Sequence, residues 1–407
     1  MAEISRLTAK LKQREFKLNA LLEVTQAINT NFEVSQLLGL YQRILKEELG
    51  VEKLALFTFE EQWTCLVQYG MQNTTLPNIS DERFFQKQKD VELNVGESTV
   101  SFDLSLPIVQ NERPIAYLLV GDEVENEIKM SPAIRHMKFI QTITNIIVVA
   151  IQNKKFQEIT LRQERVKKEL ELAAEMQAIL LPHQLPNNQH FEVSAVYKAH
   201  QQVGGDYYDF MELPDDKVMF CMADVSGKGV SAAFLMANFQ AYLRSVFTYT
   251  TSSLTEIVRE LNRLVMHSAM GEKYITLFLG LYDKPSRKLH YINCGHNPPI
   301  LADSNGYTTL LKNGTLGLGM FDELPKVLEG VQVIQQRSIV TCFTDGLVET
   351  ENEEDQEFGS ERLENLILSY FDDPVADLND IIVEALNDFK GSRPYVDDLA
   401  IMSCRFR

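Results

Sequence analysis

The chain has 407 residues, more than a single hydrophobic core usually serves, so two or three domains are expected. Its 57 acidic residues against 39 basic ones give a net charge of −18, which argues against nonspecific binding to nucleic acid or an anionic membrane surface. A content of 45% hydrophobic and 24% charged residues excludes wholesale disorder.

The chain opens on Ile4, Leu7, Leu11, Leu18, Leu21 and Ile28, a heptad seam interrupted by Arg14 and Thr25, so residues 1–31 are expected to form a coiled-coil helix. The polar, charged start does not read as a signal peptide. Residues 32–152 carry a mixed pattern. A helix is expected at Ser35 to Leu49 and a strand at Leu54 to Phe59, with Gly70 in a turn before a loop rich in Asn, Thr and Pro. Strands follow near Val100 to Val109 and Ile115 to Val120, joined as a hairpin with Asn111 and Glu112 at its turn. This order, closed by a long helix, resembles a GAF sensor domain. The resemblance implies either an unidentified small ligand or none, with the domain serving as a dimeric spacer. Trp63, Cys65 and Tyr69 read as strand core rather than a ligand pocket.

The most apolar stretch, Phe139 to Ile151, is broken by Gln141, Thr142, Thr144 and Asn145, so no membrane span is expected. The helical pattern runs on to about Leu181. Phe156, Ile159, Val166, Leu170, Ala173 and Leu180 keep a three-four seam whose polar gaps fall on Gln163 and Gln177, and Pro182 and Pro186 end it. Residues 153–185 are therefore expected to be a coiled-coil linker joining two chains as a homodimer.

From 186 to 407 runs of strands alternate with pairs of helices set apart from them. Helical spacing covers Gly229 to Phe247, Ser253 to Met270, Ser360 to Tyr370 and Pro374 to Phe389, and Tyr274 to Tyr282 alternates as a strand. The expected fold class is α+β, with this C-terminal domain an α/β sandwich of two antiparallel sheets flanked by helices. The cysteines, Cys65, Cys221, Cys294, Cys342 and Cys404, are dispersed without a Cys-x-x-Cys pair. That usage points to buried free thiols in a reducing cytoplasm and against a zinc site.

Chemistry concentrates where apolar strands meet aspartates. Asp224 ends the run 218–223 and opens into Ser226-Gly-Lys-Gly; Asp345 ends a second strand on Gly346; Asp397 and Asp398 precede a third. In an antiparallel sheet such ends are neighbours, so Asp224, Asp345 and Asp397 are expected to meet at one rim. Asp206 and Asp209 follow the Gly204-Gly205 turn. Carboxylates without His or Cys select hard cations, Mg²⁺ or Mn²⁺, and two such ions activate water and clamp a phosphoryl group.

Six blocks then carry a resemblance: Glu171 to Pro182, Gly204-Gly-Asp-Tyr-Tyr-Asp-Phe, Ala223-Asp-Val-Ser-Gly-Lys-Gly-Val-Ser-Ala-Ala, Asn293-Cys-Gly-His-Asn-Pro-Pro, Phe343-Thr-Asp-Gly-Leu-Val-Glu and Val396-Asp-Asp-Leu-Ala. In this order they resemble the metal-dependent protein phosphatases, in their bacterial SpoIIE/RsbU-like branch, over residues 170–407. The resemblance implies a cytoplasmic phosphoserine/phosphothreonine protein phosphatase with two Mn²⁺ or Mg²⁺ ions. It implies that Asp224 bridges the ions, that Asp206 and the Val225 carbonyl serve one, and that Asp345 and Asp397 serve the other. The implied substrate is a phosphorylated anti-sigma-factor antagonist with a STAS fold.

Ser226 stands where eukaryotic relatives carry a histidine proposed as general acid, which leaves leaving-group protonation to water on the ions. Ala400 stands where Thr or Ser is common. Lys228 is placed to meet the substrate phosphate at the following helix N-terminus, or else is a solvated turn lysine. His296 reads as a turn-supporting residue rather than an acid. Two other readings compete: a GAF-linked diguanylate-cyclase-type enzyme, suggested by Gly204-Gly-Asp-Tyr-Tyr but lacking that motif's Glu, and a non-catalytic phosphatase-like binding module, whose mark would be a lost ligand.

Overall fold

The computed structural model describes residues 2–59, 62–71, 92–95, 102–110, 113–121, 131–249 and 252–407. The chain divides into two compact units, Met1–Glu164 and Arg165–Arg407.

Unit one begins with α1 (Ala2–Asn29) and α2 (Val34–Arg43), which runs into a π-helical turn, Ile44–Glu48. The strands are β1 (Lys53–Phe59), β2 (Trp63–Tyr69), β3 (Glu92–Val95), β4 (Phe102–Gln110) and β5 (Arg113–Gly121), in the sheet order β2-β1-β5-β4-β3. Pairing of Gln110 with Arg113 brackets the expected hairpin turn; residues 111–112, like the Asn/Thr/Pro-rich loop, lie outside the described residues. One sheet face buries Leu54, Leu56, Leu104, Leu118 and Val120 against the helices. The other carries Ala55, Phe57, Phe102 and Leu119, with Trp63 stacked at a tilt on Tyr117.

The N-terminal seam is split by this packing. Ala20, Val24 and Ala27 of α1 are buried and Leu21 and Ile28 are half-buried, whereas Ile4, Leu7, Leu11 and Leu18 remain exposed.

Helix α3 (Pro132–Leu180) is one continuous helix that contributes to both units. Ile140, Ile143, Ile147, Val148 and Ile151 are buried in the unit-one core. This explains an 18-residue window of mean hydropathy 1.2, long and apolar enough to cross a membrane by length and composition, where sequence alone gave no span. Its apolar residues answer to the sheet they cover, and 44% of the window is buried within protein. Farther on, Phe156, Ile159 and Val166 are exposed. Gln177, expected in a polar gap of the seam, is instead buried.

Unit two is a sandwich. One sheet holds β7 (Tyr207–Leu213), β8 (Lys217–Val225), β9 (Ile275–Asp283), β10 (Lys288–Cys294) and β13 (Gly314–Thr315), with β14 (Gly330–Val333) also on β10. The other runs β12-β11-β15-β16-β6, formed by Thr308–Leu310, Ile300–Ala302, Ile339–Phe343, Leu399–Phe406 and Phe191–Lys198. Every described pairing in these two sheets is antiparallel except β10 with β13.

The period of two in β16 shows how the layers are made. Ala400, Met402, Cys404 and Phe406 enter the core between the sheets, while Leu399 and Ile401 enter the core beneath the outer helices. Edge-on contacts of Phe406 with Phe191 and Tyr282 join strands of both sheets. Helices α4 (Val230–Tyr249) and α5 (Leu254–Ala269) cover the first sheet. A short helix α6 (Asp345–Val348) follows β15, and α7 (Ser360–Ser369) and α8 (Val375–Lys390) cover the second sheet. Helix α5 starts on Ser253 and Glu256, each side chain bonding the other's backbone N–H.

Candidate active site

Strand β8 carries Asp224 and Val225 to its end, where Asp224 lies opposite Thr276 of β9. Asp206 directly precedes β7, the neighbour of β8, and is only 1% exposed. In the other sheet Asp345 is the first residue of α6, and Asp397 lies two residues before β16. Sequence reasoning put Asp224, Asp345 and Asp397 on the rim of one sheet. The structure corrects this: Asp206 and Asp224 belong to one sheet and Asp345 and Asp397 to the other, so the acids gather where the two layers part.

The electrostatics register that gathering. Burial, followed by the charges of Asp345 and Asp397, pushes the Asp224 carboxyl up to about 7. Asp206 is driven well above the ordinary carboxylate range by burial and then by Asp224. Asp345 is raised by burial and by Asp397. Lys228 Nζ reaches Asp397 at 2.8 Å, and Asp206 accepts from the Thr344 hydroxyl at 2.7 Å.

This donor set fits hard divalent cations, which take carboxylate, carbonyl and water oxygens. Among the described residues no three His, Cys, Asp or Glu side chains already form an ion-holding group. The acids are therefore near enough to repel one another, yet not closed into a cage. Asp206, Asp224 and the Val225 carbonyl would hold one ion, and Asp224, Asp345 and Asp397 a second.

Backbone placement around the acids is exacting. A Cβ on Gly205 would stand 2.9 Å from the Val225 carbonyl oxygen, and one on Gly204 would stand 2.4 Å from Asp398 Oδ2. Only glycine lets the turn before Asp206 pass so close to β8. Asp398, expected merely beside Asp397, clamps this turn: its Oδ2 accepts from Gly205 N–H at 2.6 Å and its Oδ1 from His200 N–H at 2.7 Å. Gln177 holds the same turn from α3, donating from Nε2 to the Gly204 carbonyl at 2.6 Å and accepting at Oε1 from Gly204 N–H at 3.1 Å. Thr344 bonds Asp206 and also accepts from Ala400 N–H at 2.9 Å, tying β15 to β16.

Several other residues are assigned by their partners. Asp209 is fully buried and takes two bonds from Arg244, at 2.7 and 2.9 Å, and one from the Tyr207 hydroxyl at 2.5 Å. It joins β7 to α4 and is not part of the acid cluster. Ser226 Oγ accepts from Tyr274 N–H at 2.9 Å, so it fixes the loop. His296 is buried, with Nδ1 2.9 Å from the Thr276 hydroxyl, and burial lowers it to about 4; it is neutral near pH 7 and supports the turn. Lys228, partly exposed to solvent, is paired with Asp397 and donates to the Val396 carbonyl.

Asp398, Thr344 and Gln177 were not found as site residues from the sequence. Asp398 and Thr344 have a signal, each adjoining a predicted ligand. Gln177 has the spacing of a helix face and nothing local to tell which backbone it meets.

Comparison with known proteins agrees with this architecture. Unit two resembles the SiaA-PP2C domain of Pseudomonas aeruginosa, with a TM-score of 0.54 and 21% identity, covering 60% of this chain and 99% of that one. The fold is that of the PP2C-type phosphatase domains. The stretch of residues 214–407 matches the family described as Stage II sporulation protein E (SpoIIE). It contains Asp224, Val225, Asp345 and Asp397 and leaves Asp206 and Gln177 outside.

Protein IcfG of Synechocystis sp. is 27% identical over 262 residues, 58% of this chain and 41% of that protein. Phosphoserine phosphatase RsbU of Bacillus subtilis is 27% identical over 194 residues, 47% of this chain and 56% of that protein. The chain thus spans about half the length of the curated relatives it matches.

Proposed function

We propose that this chain is a metal-dependent protein phosphatase that hydrolyses phosphoserine or phosphothreonine on a partner protein. The observation that carries the reading is the set of four aspartates from two sheets, three of them raised by burial and then by one another's charge, a carboxylate cluster suited to divalent cations. Two Mn²⁺ or Mg²⁺ ions would supply an activated water and a clamp on the phosphoryl oxygens. Asp206, Asp224, Asp345 and Asp397 provide the negative seats, Asp224 shared between them. Asp398, Thr344 and Gln177 hold those seats in place through the turn at Gly204. His296, buried and neutral, moves no proton, and Ser226 is occupied by Tyr274.

Phosphoserine phosphatase RsbU among the relatives supports a phosphorylated protein substrate, and a STAS-type anti-sigma-factor antagonist is the proposed one. Unit one is proposed as a GAF-like sensor, with or without a small ligand, in a cytoplasmic homodimer. The exposed seam residues Phe156, Ile159 and Val166 of α3 support that pairing. Gln177, near the end of the same helix, gives the sensor a route to the turn before Asp206.

The test is release of phosphate from p-nitrophenyl phosphate and from a phosphoserine peptide with Mn²⁺ or Mg²⁺ titrated. Release that needs the ion and stops with chelator is expected. No release at saturating ion would leave a non-catalytic binding module.

A further inference from the structure

Lys228 sits in the turn between Asp224 and α4, directly beside the proposed ion seats. Its ammonium is 2.8 Å from Asp397 Oδ2 and also donates to the Val396 carbonyl. Its charge reaches Asp345 as well, opposing the upward push on that carboxyl. The two acids it serves are those assigned to the second ion. A second lysine of the same loop region, Lys273, is engaged differently: it is half-buried and donates to the Ser226 carbonyl at 2.8 Å.

We infer that Lys228 is a resident counter-cation of the second ion seat, and that a divalent ion is held at Asp397 only as the ammonium leaves it. The inference rests on the two-ion reading above. Both oxygens of Asp397 are engaged, Oδ2 by the ammonium at 2.8 Å and Oδ1 by the Asp398 N–H at 2.9 Å, so a metal at this carboxylate competes with the ammonium for Oδ2. Taking up the second ion is therefore an exchange of one cation for another, and its apparent affinity is lowered by the fraction of time the seat is taken. Side-chain exposures of 41% for Lys228 and 37% for Asp397 keep that penalty modest. A pair so exposed is worth up to about 1 kcal/mol, or about five-fold in affinity. An ion held by Asp206 and the Val225 carbonyl would not depend on Asp397, so the exchange would not reach it.

The experiment is calorimetric titration of Mn²⁺ into the full chain, comparing wild type with Lys228→Met, Lys228→Arg and Lys273→Met. Lys228→Met should bind the second ion about five-fold tighter with the first unchanged. Lys228→Arg and Lys273→Met should stay within two-fold of wild type. A second readout uses lysine labelled with ¹³C at Cε: the signal missing from Lys228→Met should shift on the second equivalent of Mg²⁺, not the first.

Unchanged or weaker second-ion binding in Lys228→Met overturns the inference. So does equal tightening in Lys273→Met, which would make the effect one of general charge. Uptake of fewer than two ions by wild type instead overturns the two-ion reading on which it stands.

Discussion

Gln177 and Gly204 exchange two hydrogen bonds, side-chain amide to backbone amide, and both groups are buried. They are 27 residues apart in sequence. One is near the end of a 49-residue helix, and the other lies two residues before Asp206.

Gln177→Ala would strand a buried N–H and a buried carbonyl, each costing about 1–3 kcal/mol if left unpaired. The turn should shift to recover water, taking Asp206 with it. Phosphate release should fall at least ten-fold with the far-ultraviolet circular dichroism unchanged, because small misplacements of reacting groups carry large rate costs. Activity within two-fold of wild type would show that Asp398 holds the turn alone.

Asp224→Asn should abolish turnover and also change stability with pH. From an ordinary value of 3.8, burial and the charges of Asp345 and Asp397 push the Asp224 carboxyl up to about 7 in the fold. Between those values the folded state holds the extra proton, so metal-free stability falls as pH rises through the window. The asparagine variant lacks this loss. At pH 7, with chelator, it should be more stable by up to about 4 kcal/mol, or roughly ten degrees in melting temperature. Thermal melts from pH 4.5 to 7.5 check this, and parallel curves for the two proteins would refute it.

Among the described residues, Arg244→Ala leaves Asp209 buried with the Tyr207 hydroxyl and the Phe210 N–H as its side-chain partners. Loss of one partner of a buried pair costs about 3–5 kcal/mol, and the 42% exposure of the Arg244 side chain brings the expectation down to about 2–3 kcal/mol. Urea unfolding should show this loss, while Arg244→Ala combined with Asp209→Asn should recover part of it.

Deleting four residues within Lys154 to Lys168 turns the downstream part of α3 by about 40°, and deleting seven nearly restores phase. The four-residue deletion should change the rate of phosphate release strongly and the seven-residue deletion weakly. Equal rates would make α3 a passive tether.

The aspartates were legible in the sequence because each ends or opens an apolar strand on a turn signal, and local pattern decides both features. Helices α4, α5, α7 and α8 were placed to within a few residues for the same reason: caps such as Ser253 with Glu256 are written locally. The sharing of the acids between two sheets was not legible, since strand order is set by long-range packing of residues such as Phe191, Tyr282 and Phe406. Asp209 and Asp206 look alike after a Gly-Gly turn. Only the arrival of Arg244 from α4 separates Asp209 from an acid of the cluster. Gln177 looked like a gap in a seam because spacing shows a helix face and not what lies opposite it.

Crystals of the full chain soaked in Mn²⁺ and measured at the manganese absorption edge test the central claim most directly. Two anomalous peaks about 3.5–4 Å apart are predicted. Both should touch Asp224, one also meeting Asp206 and the Val225 carbonyl and the other Asp345 and Asp397. A single peak, or peaks away from Asp224, would contradict the account.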